Sequence, residues 1–535
     1  MTKTEFSRRS LLRSAIVGTA ASAASMQVAA QGGDPEGQAR GSKWERPPKQ
    51  SGNSLNLIVI VVDTFRYDNL ACYGAKWLEQ LETPNLDRFA GNSTVFVDAY
   101  PEVMPTIPIR RTLYTGRRAI PCYYFPQHES VQLPGWHQLY HEDVTLAETL
   151  LEAGYANALI SSVYHQFKPG RNFHRGFHTW RWIRGLEFDY YGTAPHRRSG
   201  VSDFASKEYL ARFPELHNFL SQYKANRNLW LQDGESVSQI TAQTAIRWLN
   251  DNHQERPFYF HVEFFDPHEP WDPPSRFLGK YLPGAATPSY IEPPYETVSL
   301  PDEVQRRMRA NYAGAVSCVD HWVGCLLDTI GQFGLFENSV VVFMSDHGAM
   351  LGEHGQFLKG PDKLRSQVTH VPLVIRVPGS QYAGKKVAGF VQFPDVMPTL
   401  LGLLGLKAPS RVTGKDFWPL VTGATSSIHD YVVQTYGWVG VGRNHEWAYS
   451  EIWKPGASQT KFCKYPGDSP STYQPQLYNL DNDPKELTDV AEKHPDVARQ
   501  MSAKLKEYIA SGEGLTYGSF NGKPALDTEE GLYAK

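Results

Sequence analysis

Residues 55–62 read LNLIVIVV, a continuous apolar run rich in β-branched side chains, and Asp63 follows it directly. A run of this kind is typical of a parallel strand that is buried on both faces. Similar runs lie at residues 258–265, 339–344 and 371–377, with amphipathic helical patterns between them. Alternating strands and helices predict an α/β fold, in which helices flank a mostly parallel sheet.

Polar side chains follow these runs, where the strands are predicted to end. Asp63 follows the first run, Asp346 and His347 follow the third, and His268 lies three residues beyond the second. In open α/β sheets, ligands bind beyond the carboxyl ends of the strands. Buried carboxylates need a positive charge to offset them, so a divalent cation explains Asp63, Asp346 and His347 together. The alternative is that each Asp caps the helix that follows it, which is a common role.

The composition argues against several classes of protein. Of 535 residues, 53 are basic and 56 are acidic, and the formal net charge is -3. A nucleic-acid partner would require a strong basic excess, so none is expected. The hydrophobic content of 41% is sufficient for a large core. The five cysteines show no metal-ligand spacing, and neither a structural zinc site nor a disulfide-built scaffold is predicted.

The first residues have the features of an export signal. A twin-arginine pattern at residues 7–13 precedes a weakly apolar stretch at 14–26 and a small-residue cleavage site at 28–30. Residues 1–30 are therefore predicted to be a signal peptide for the twin-arginine export machinery, and residues 31–53 a flexible linker. The mature protein is then periplasmic or extracellular, without a membrane anchor. The alternative is a chance Arg pair in a disordered tail.

The sequence TIPIRRTLYTG at residues 106–116 predicts the start of a helix. Thr106 lies at or near the N-cap, and Pro108 is tolerated in the first turn, where its missing N–H costs nothing. The free N–H groups of a helix N-terminus bind anions, and Arg110 adds a fixed positive fork. Thr106 would then lie where a sulfate or phosphate group binds. An ordinary Thr cap, with Arg110 on a solvated face, is the alternative.

The motifs together resemble the sulfatase family of the alkaline phosphatase superfamily. Residues 106–116 align without gaps on the family signature C/S-x-P-x-R-(x)4-T-G. The segments that resemble the family are residues 56–74, 83–87, 106–116, 266–270, 345–348, 351–355, 359–360, 370–373, 395–399 and 476–486. The resemblance implies a catalytic α/β domain at residues 54–405 and a smaller C-terminal subdomain with an antiparallel sheet at 406–535.

Three positions depart from the sulfatase pattern. Thr106 replaces the Cys or Ser that the family oxidises to formylglycine, and a secondary alcohol cannot form that aldehyde. Thr64 stands where sulfatases usually carry a second Asp ligand. Residues 158–165 lack the Lys of the family's Gly-Lys-x-His stretch, although His165 is present. The resulting metal site is similar to that of the phosphonate monoester and phosphodiester hydrolases, although those enzymes retain a formylglycine. Because Thr106 cannot be converted, no formylglycine is expected here.

These departures favour phosphate over sulfate esters. A sulfate hemiester of formylglycine is released when the aldehyde hydrate collapses, and a sulfate ester of Thr106 has no such exit. A phosphate ester of Thr106 can be hydrolysed at phosphorus in a two-step displacement. The sequence therefore predicts a metal-dependent hydrolase of phosphate mono- or diesters. The alternatives are a sulfuric ester hydrolase, arylsulfatase-like, that works without formylglycine, and an inactive binding protein.

The resemblance also implies a role for each site residue. Asp63, Asp346 and His347 would hold the metal, with the oxygen of Thr106 as a further ligand. Arg110 would orient Thr106. The other predicted catalytic residues are Lys359 and His268, which would contact substrate oxygens with His268 as a candidate general acid, and His165. Three oxygens and one imidazole favour Mn²⁺ or Ca²⁺, with Zn²⁺ or Mg²⁺ as alternatives.

The region between Cys122 and Ser199 is rich in aromatic and cationic side chains. Its members are Tyr123, Tyr124, Trp136, His137, Trp180, Trp182, His196, Arg197 and Arg198. Aromatic rings beside cations suit a small-molecule or saccharide ester that carries an anion. A core packed with aromatic side chains is an equally good explanation.

Overall fold

The structure is a computed structural model. It describes residues 54–122, 133–168, 170–187, 189–193, 200–255, 257–284, 287–295, 298–454, 473–516, 518–520 and 523–524. The predicted signal peptide at 1–30 and the linker at 31–53 lie outside the described residues. So do Tyr123, Tyr124, His196, Arg197 and Arg198.

The strands follow the apolar runs of the sequence. They are β1 Asn56–Val62, β2 Thr94–Phe96, β3 Ala99–Tyr100, β4 Val103–Met104, β5 Ala156–Ser161, β6 Thr179–Trp182, β7 Phe258–Phe264, β8 Ser339–Ser345, β9 Met350–Leu351, β10 Phe357–Leu358, β11 Leu373–Arg376, β12 Lys386–Val387, β13 Val391–Gln392, β14 Val432–Tyr436, β15 Val439–Arg443, β16 Trp447–Ile452, β17 Gln476–Asn479, β18 Ser519–Phe520 and β19 Lys523–Pro524. All four predicted strands are present, as β1, β7, β8 and β11.

The helices are α1 Pro84–Gly91, α2 Thr106–Thr115, α3 Leu146–Glu152, α4 Lys207–Arg212, α5 Leu216–Trp230, α6 Val237–Asn252, α7 Ser275–Leu278, α8 Asp302–Gln332, α9 Ser366–Thr369, α10 Val396–Leu403, α11 Trp418–Thr422 and α12 Pro495–Ala510. Thr145 begins α3 with a capping box that it forms with Glu148. Among the described residues, no helix is both long enough and apolar enough to cross a bilayer.

The main sheet has eight strands in the order β12-β2-β11-β8-β1-β7-β5-β6. The central strands β8, β1, β7, β5 and β6 are parallel to one another. Strand β11 is antiparallel to both of its neighbours. The predicted fold class, α/β with a mostly parallel sheet flanked by helices, is confirmed.

Alternate residues of β1 point to opposite faces of the sheet and enter two separate cores. Ile58, Ile60 and Val62 pack with side chains of α6 and α8. Leu57, Val59 and Val61 pack on the other face, with side chains of α2 and α10. Because both faces are covered, β1 is buried along its whole length. This packing brings the N-terminus of α2 to the edge of the sheet where β1 ends.

A second, smaller sheet has five strands in the order β17-β16-β15-β14-β4. Strands β14 to β17 are antiparallel, as predicted for the C-terminal part of the chain. Strand β4 comes from residues 103–104 and joins β14 in parallel. Segments on both sides of the predicted boundary at 405/406 thus share this sheet. The boundary itself stays a prediction.

Candidate active site

Asp63, Asp346 and His347 meet at the carboxyl edge of the main sheet. Strands β1 and β8 are parallel neighbours with Val62 opposite Ser345, so the residues that follow them are adjacent. The three side chains are buried, and one ligand atom from each lies within 4.8 Å of the others. The structure therefore brings the predicted metal ligands together.

His347 is oriented so that a ring nitrogen faces both carboxylates. Its Nδ1 lies 3.0 Å from the carbonyl oxygen of Gly348, which can only accept, so Nδ1 carries the proton. Among the residues that the structure describes, Nε2 has no hydrogen-bond partner. It lies 3.8 Å from a carboxylate oxygen of Asp63 and 3.8 Å from one of Asp346. Burial lowers the pKa of His347 to about 4, which keeps the ring neutral.

This arrangement fits a cation. A buried lone pair that points at two carboxylates is unfavourable unless a positive charge lies between them. Two carboxylates and a neutral imidazole are common ligands of divalent metals, and the contact with Gly348 fixes the tautomer that a ligand needs. The donor set was expected from the sequence, whereas the orientation of Nε2 is visible only in the fold.

Thr64 has a supporting position beside these ligands. Its hydroxyl donates to Asp63 at 2.8 Å, and its backbone N–H donates to Asp346 at 3.1 Å. The residue has φ of 58°, a left-handed conformation that is uncommon for a β-branched side chain and costs energy. The two hydrogen bonds hold this turn, so Thr64 orients the carboxylates.

Arg110 lies among three buried carboxylates. Its guanidinium contacts Asp63 at 3.3 Å, Glu263 at 3.3 Å and Asp346. Burial would lower the pKa of Arg110, but these carboxylates outweigh it and hold the pKa above its usual value. Burial and the neighbouring Asp346 raise the pKa of Asp63 well above its ordinary value. One guanidinium thus leaves negative charge uncompensated in this cluster, which again suits a cation.

Thr106 is the first residue of α2, and Pro105 precedes the helix. Its side chain is buried, and its backbone carbonyl accepts a hydrogen bond from Arg110 at 3.3 Å. The helix therefore begins at the position that the sequence predicted, with Thr106 inside the first turn. Arg110 links this turn to Asp63 and Asp346. The N–H groups at the start of α2 suit an anion.

Lys359 and His268 form a buried pair close to the same cluster. Lys359 Nζ lies 2.8 Å from His268 Nε2. His268 Nδ1 lies 2.8 Å from the carbonyl oxygen of Glu269 and must donate to it, which leaves Nε2 to accept from Lys359. Burial and the charge of Lys359 lower the pKa of His268 well below its ordinary value. The proton between Lys359 Nζ and His268 Nε2 thus belongs to Lys359. A general-acid role therefore involves both residues, with Lys359 carrying the proton.

His165 lies at the border of the site. Its Nε2 is 2.8 Å from a carboxylate oxygen of Glu187, and its ring packs against Trp136 and Tyr164. The charge of Glu187 acts on both Lys359 and His268. His165 is therefore connected to the site through Glu187. Its predicted catalytic role stays a prediction.

Glu263 was not identified from the sequence. It lies on β7, fully buried, and binds Arg110, Tyr114 at 3.0 Å, His261 at 2.8 Å and Gln166. The apolar run at 258–265 concealed it. The available signal was a His and a Glu two residues apart in an otherwise apolar strand, which places both on one face.

The aromatic region divides into two parts. Trp136 and His137 are buried, and Trp136 belongs to the core around α2 and α3. Trp180 is 46% exposed, and Trp182 is half-buried. The core explanation thus holds for Trp136 and His137, and the ligand-binding explanation of the region stays a prediction.

Known proteins resemble the chain in sequence. A profile of the sulfatase family matches residues 55–406. The chain belongs to the sulfatase family. A profile of the C-terminal region of N-sulphoglucosamine sulphohydrolase matches residues 352–511 of this family member. The chain is 27% identical to an arylsulfatase of Clostridium perfringens, over 87% of this chain and 96% of the relative. It is 25% identical to iduronate 2-sulfatase of Homo sapiens, over 70% and 73%.

Solved structures resemble this family member in fold. The phosphonate monoester hydrolase of Agrobacterium radiobacter matches with a TM-score of 0.62 and 20% identity, over 88% of this chain and 99% of that one. A protein solved with its substrate D-glucosamine-2-N,6-O-disulfate matches with a TM-score of 0.60 and 18% identity, over 86% and 99%. These structures show a shared fold. The predicted membership of the sulfatase family is confirmed, and the protein is a sulfatase-family hydrolase.

Proposed function

We propose that this sulfatase-family hydrolase cleaves phosphate mono- or diesters, with Thr106 as the nucleophile. One observation carries the proposal. Thr106 begins α2 in a buried position, and Arg110 joins its carbonyl to the carboxylates of Asp63 and Asp346. A Thr at this position offers a hydroxyl that the family's oxidation cannot convert to formylglycine. Its phosphate ester can be hydrolysed, whereas its sulfate ester has no easy exit.

A divalent metal is part of the proposal. Asp63, Asp346 and His347 would hold it, together with the hydroxyl of Thr106. When bound, the metal lowers the pKa of a hydroxyl and stabilises the negative charge of the transition state. The mixed set of oxygens and one imidazole favours Mn²⁺ or Ca²⁺, and Zn²⁺ or Mg²⁺ also accept such ligands.

The residues of the chain would act in two steps. The oxygen of Thr106 bonds to phosphorus while the bond from phosphorus to the leaving oxygen breaks. Lys359, with His268 behind it, donates a proton to that oxygen, and the alcohol leaves. Water then attacks phosphorus as the bond to the Thr106 oxygen breaks, and that oxygen keeps one proton of the water. Lys359 regains a proton from solvent, which took up the proton that the Thr106 hydroxyl lost in the first step. Arg110 holds the turn of Thr106 and offsets negative charge throughout.

Hydrolysis of sulfate esters is the second candidate. The relatives at 25% identity or more include an arylsulfatase and an iduronate 2-sulfatase, and one solved neighbour binds a disulfated glucosamine. These names favour a sulfated saccharide as substrate. The third candidate is a protein that keeps the fold and binds an anion at Thr106 but catalyses no reaction.

A parallel assay separates the candidates. Purified protein is loaded with Mn²⁺, Ca²⁺, Zn²⁺ or Mg²⁺, and 4-nitrophenyl phosphate, bis(4-nitrophenyl) phosphate and 4-nitrophenyl sulfate are compared by kcat/KM. The proposal expects phosphorus esters to be hydrolysed faster, with no effect of coexpressed formylglycine-generating enzyme. Faster turnover of the sulfate would overturn it in favour of the second candidate. Anion binding without any turnover would support the binding protein.

We also propose that the protein is exported by the twin-arginine route, as the pattern at residues 7–13 suggests. This route carries folded proteins, so the metal could be bound before export. Replacing both Arg8 and Arg9 by Lys should keep the protein in the cytoplasm, as measured by fractionation. Unchanged export of that variant would contradict the proposal.

A further inference from the structure

An exposed group of aromatic side chains lies at the edge of the main sheet. We name Phe167, Trp180, Trp182, Tyr190 and Tyr191 the aromatic ladder. Strand β6, which carries both Trp residues, pairs only with β5 in this sheet. Trp180 is 46% exposed, Tyr190 65% and Tyr191 38%. Soluble proteins rarely leave large aromatic rings grouped at the surface unless they bind something.

The rings of the ladder are held in place by one another. Phe167 stacks on Trp180 with ring centres 5.5 Å apart and on Trp182 at 5.6 Å. The guanidinium of Arg184 lies over Trp182 at 4.6 Å and over Tyr191 at 5.2 Å. Rings that are already ordered lose little conformational freedom when a ligand binds.

The ladder is continuous with the candidate active site. Phe167 follows His165 by two residues, and Tyr190 follows Glu187 by three. His165 and Glu187 are themselves 2.8 Å apart. Phe167 and Tyr190 thus lie within three residues of a pair whose carboxylate acts on Lys359 and His268.

Cations accompany the rings. Lys168 Nζ lies 4.9 Å from the ring centre of Tyr190. Arg181 is exposed on β6 between the two Trp residues. Within the described part of the chain, neither Lys168 nor Arg181 forms a salt bridge, whereas Arg184 is paired with Asp189. Exposed rings beside unpaired cations complement a ligand whose C–H faces are apolar and whose substituents are negatively charged.

We propose that the ladder binds the saccharide part of an anionic ester whose reacting group lies at Thr106. The inference rests on the proposed function, because it assigns a substrate class to the same site. An anionic oligosaccharide meets both requirements of this surface, since its rings stack on aromatic side chains and its charged groups meet Lys168 and Arg181. A lipid surface or an apolar protein face would satisfy the rings alone.

A binding measurement tests the ladder without turnover. Metal-loaded Thr106→Ala protein, combined with Trp180→Ala and Tyr190→Ala, is titrated with a chondroitin 6-sulfate tetrasaccharide by calorimetry. We expect the ladder variant to bind about tenfold more weakly than Thr106→Ala alone. Leu487→Ala in the same background is the matched control, because Leu487 is 57% exposed in another part of the chain. Trp180→Phe should recover part of the lost affinity.

Small esters separate this inference from the proposed function. In the Thr106 protein, the ladder variant should hydrolyse 4-nitrophenyl esters within about twofold of the wild-type rate, because these substrates do not reach the ladder. Equal tetrasaccharide affinity of ladder variant and control, or no tetrasaccharide binding at all, would overturn the inference. A wild-type dimer that the ladder variant converts to a monomer in sedimentation would also overturn it, in favour of a contact between copies. Tetrasaccharide binding that depends on the ladder in a protein without turnover would leave the inference standing and reject the proposed hydrolysis.

Discussion

The two ends of the site differ in how their charges and rings are held. Around Asp63, Asp346 and Arg110, every charged side chain is buried and contacts another charged group. Around Trp180 and Tyr190, the rings are exposed, and so is the neighbouring Arg181. Catalytic groups act best when they are fixed and desolvated, whereas the groups that bind a long substrate must be accessible to it. Substitutions at the buried end should therefore affect catalysis and metal binding, and substitutions at the exposed end should affect substrate affinity.

The largest effect is expected from Thr106→Ala. Removal of the nucleophile should lower kcat/KM by at least about 10³-fold with the fold intact. Steady-state kinetics and circular dichroism measure the two quantities. Retention of more than about a tenth of the activity would exclude Thr106 as the nucleophile.

Asp346→Asn should weaken metal binding by at least about 100-fold, because it removes a charged ligand and a partner of Arg110. Calorimetric titration of the metal-free protein with Mn²⁺ measures the affinity. Chelation of the metal should also lower the melting temperature of wild-type protein, since a ligand of the native state stabilises it. Unchanged metal content of the variant would contradict the assignment of the ligands.

Glu263→Gln tests the buried network behind Arg110. Without the Glu263 carboxylate, the positive charge of Arg110 is shared by Asp63 and Asp346 alone. These two carboxylates then attract a metal less strongly, so metal affinity should fall by about tenfold. Glu102→Gln is the matched control, because Glu102 is also buried and paired with an arginine, Arg118, but lies beside the smaller sheet. If both variants lost the same metal affinity, the effect would be a general loss of stability.

Lys359→Met should lower kcat/KM by about 100-fold and raise the pKa of His268, because a nearby positive charge is removed. A depressed His pKa means that the unfolded chain binds a proton below pH ~6.5 while the native protein does not, so stability falls as pH falls. In the variant, the pKa of His268 is less depressed, so the fall in the free energy of unfolding at low pH should be smaller. Histidine NMR titration and urea unfolding at two pH values measure both effects, with Lys76→Met as control. An unchanged His268 titration would show that Lys359 does not set it.

The smallest effect is expected on the stability of the exposed end. Trp180→Ala should change the free energy of unfolding by less than about 1 kcal/mol, because Trp180 is 46% exposed in the folded state. Trp271→Ala is the comparison, since Trp271 is fully buried and its loss should cost about 3–5 kcal/mol. Urea denaturation measures both, and similar losses would show that the ladder is part of the core.

Four of the eight strands of the main sheet and the candidate ligands could be predicted from the sequence. Strands β1 and β8 appear as unbroken apolar runs, and Asp63, Asp346 and His347 follow them within two residues. Such signals are local, because burial on both faces demands an apolar residue at every position. The order of strands and the direction of β11 could not be predicted, since pairing depends on segments that are distant in the chain.

The sequence by itself determined the fold class, the family and the set of residues available for chemistry, because short motifs carry each of them. Only the tertiary structure decided which of these groups touch. Arg110 and Glu263 are 153 residues apart and hydrogen-bonded. Lys359 and His268 are 91 residues apart, and their side chains lie 2.8 Å from each other. It also decided that Trp136 is buried while Trp180 is exposed, since burial depends on what packs against each ring. Hydrogen bonds, pKa shifts and exposure all arise from neighbours in space, which the order of residues does not specify.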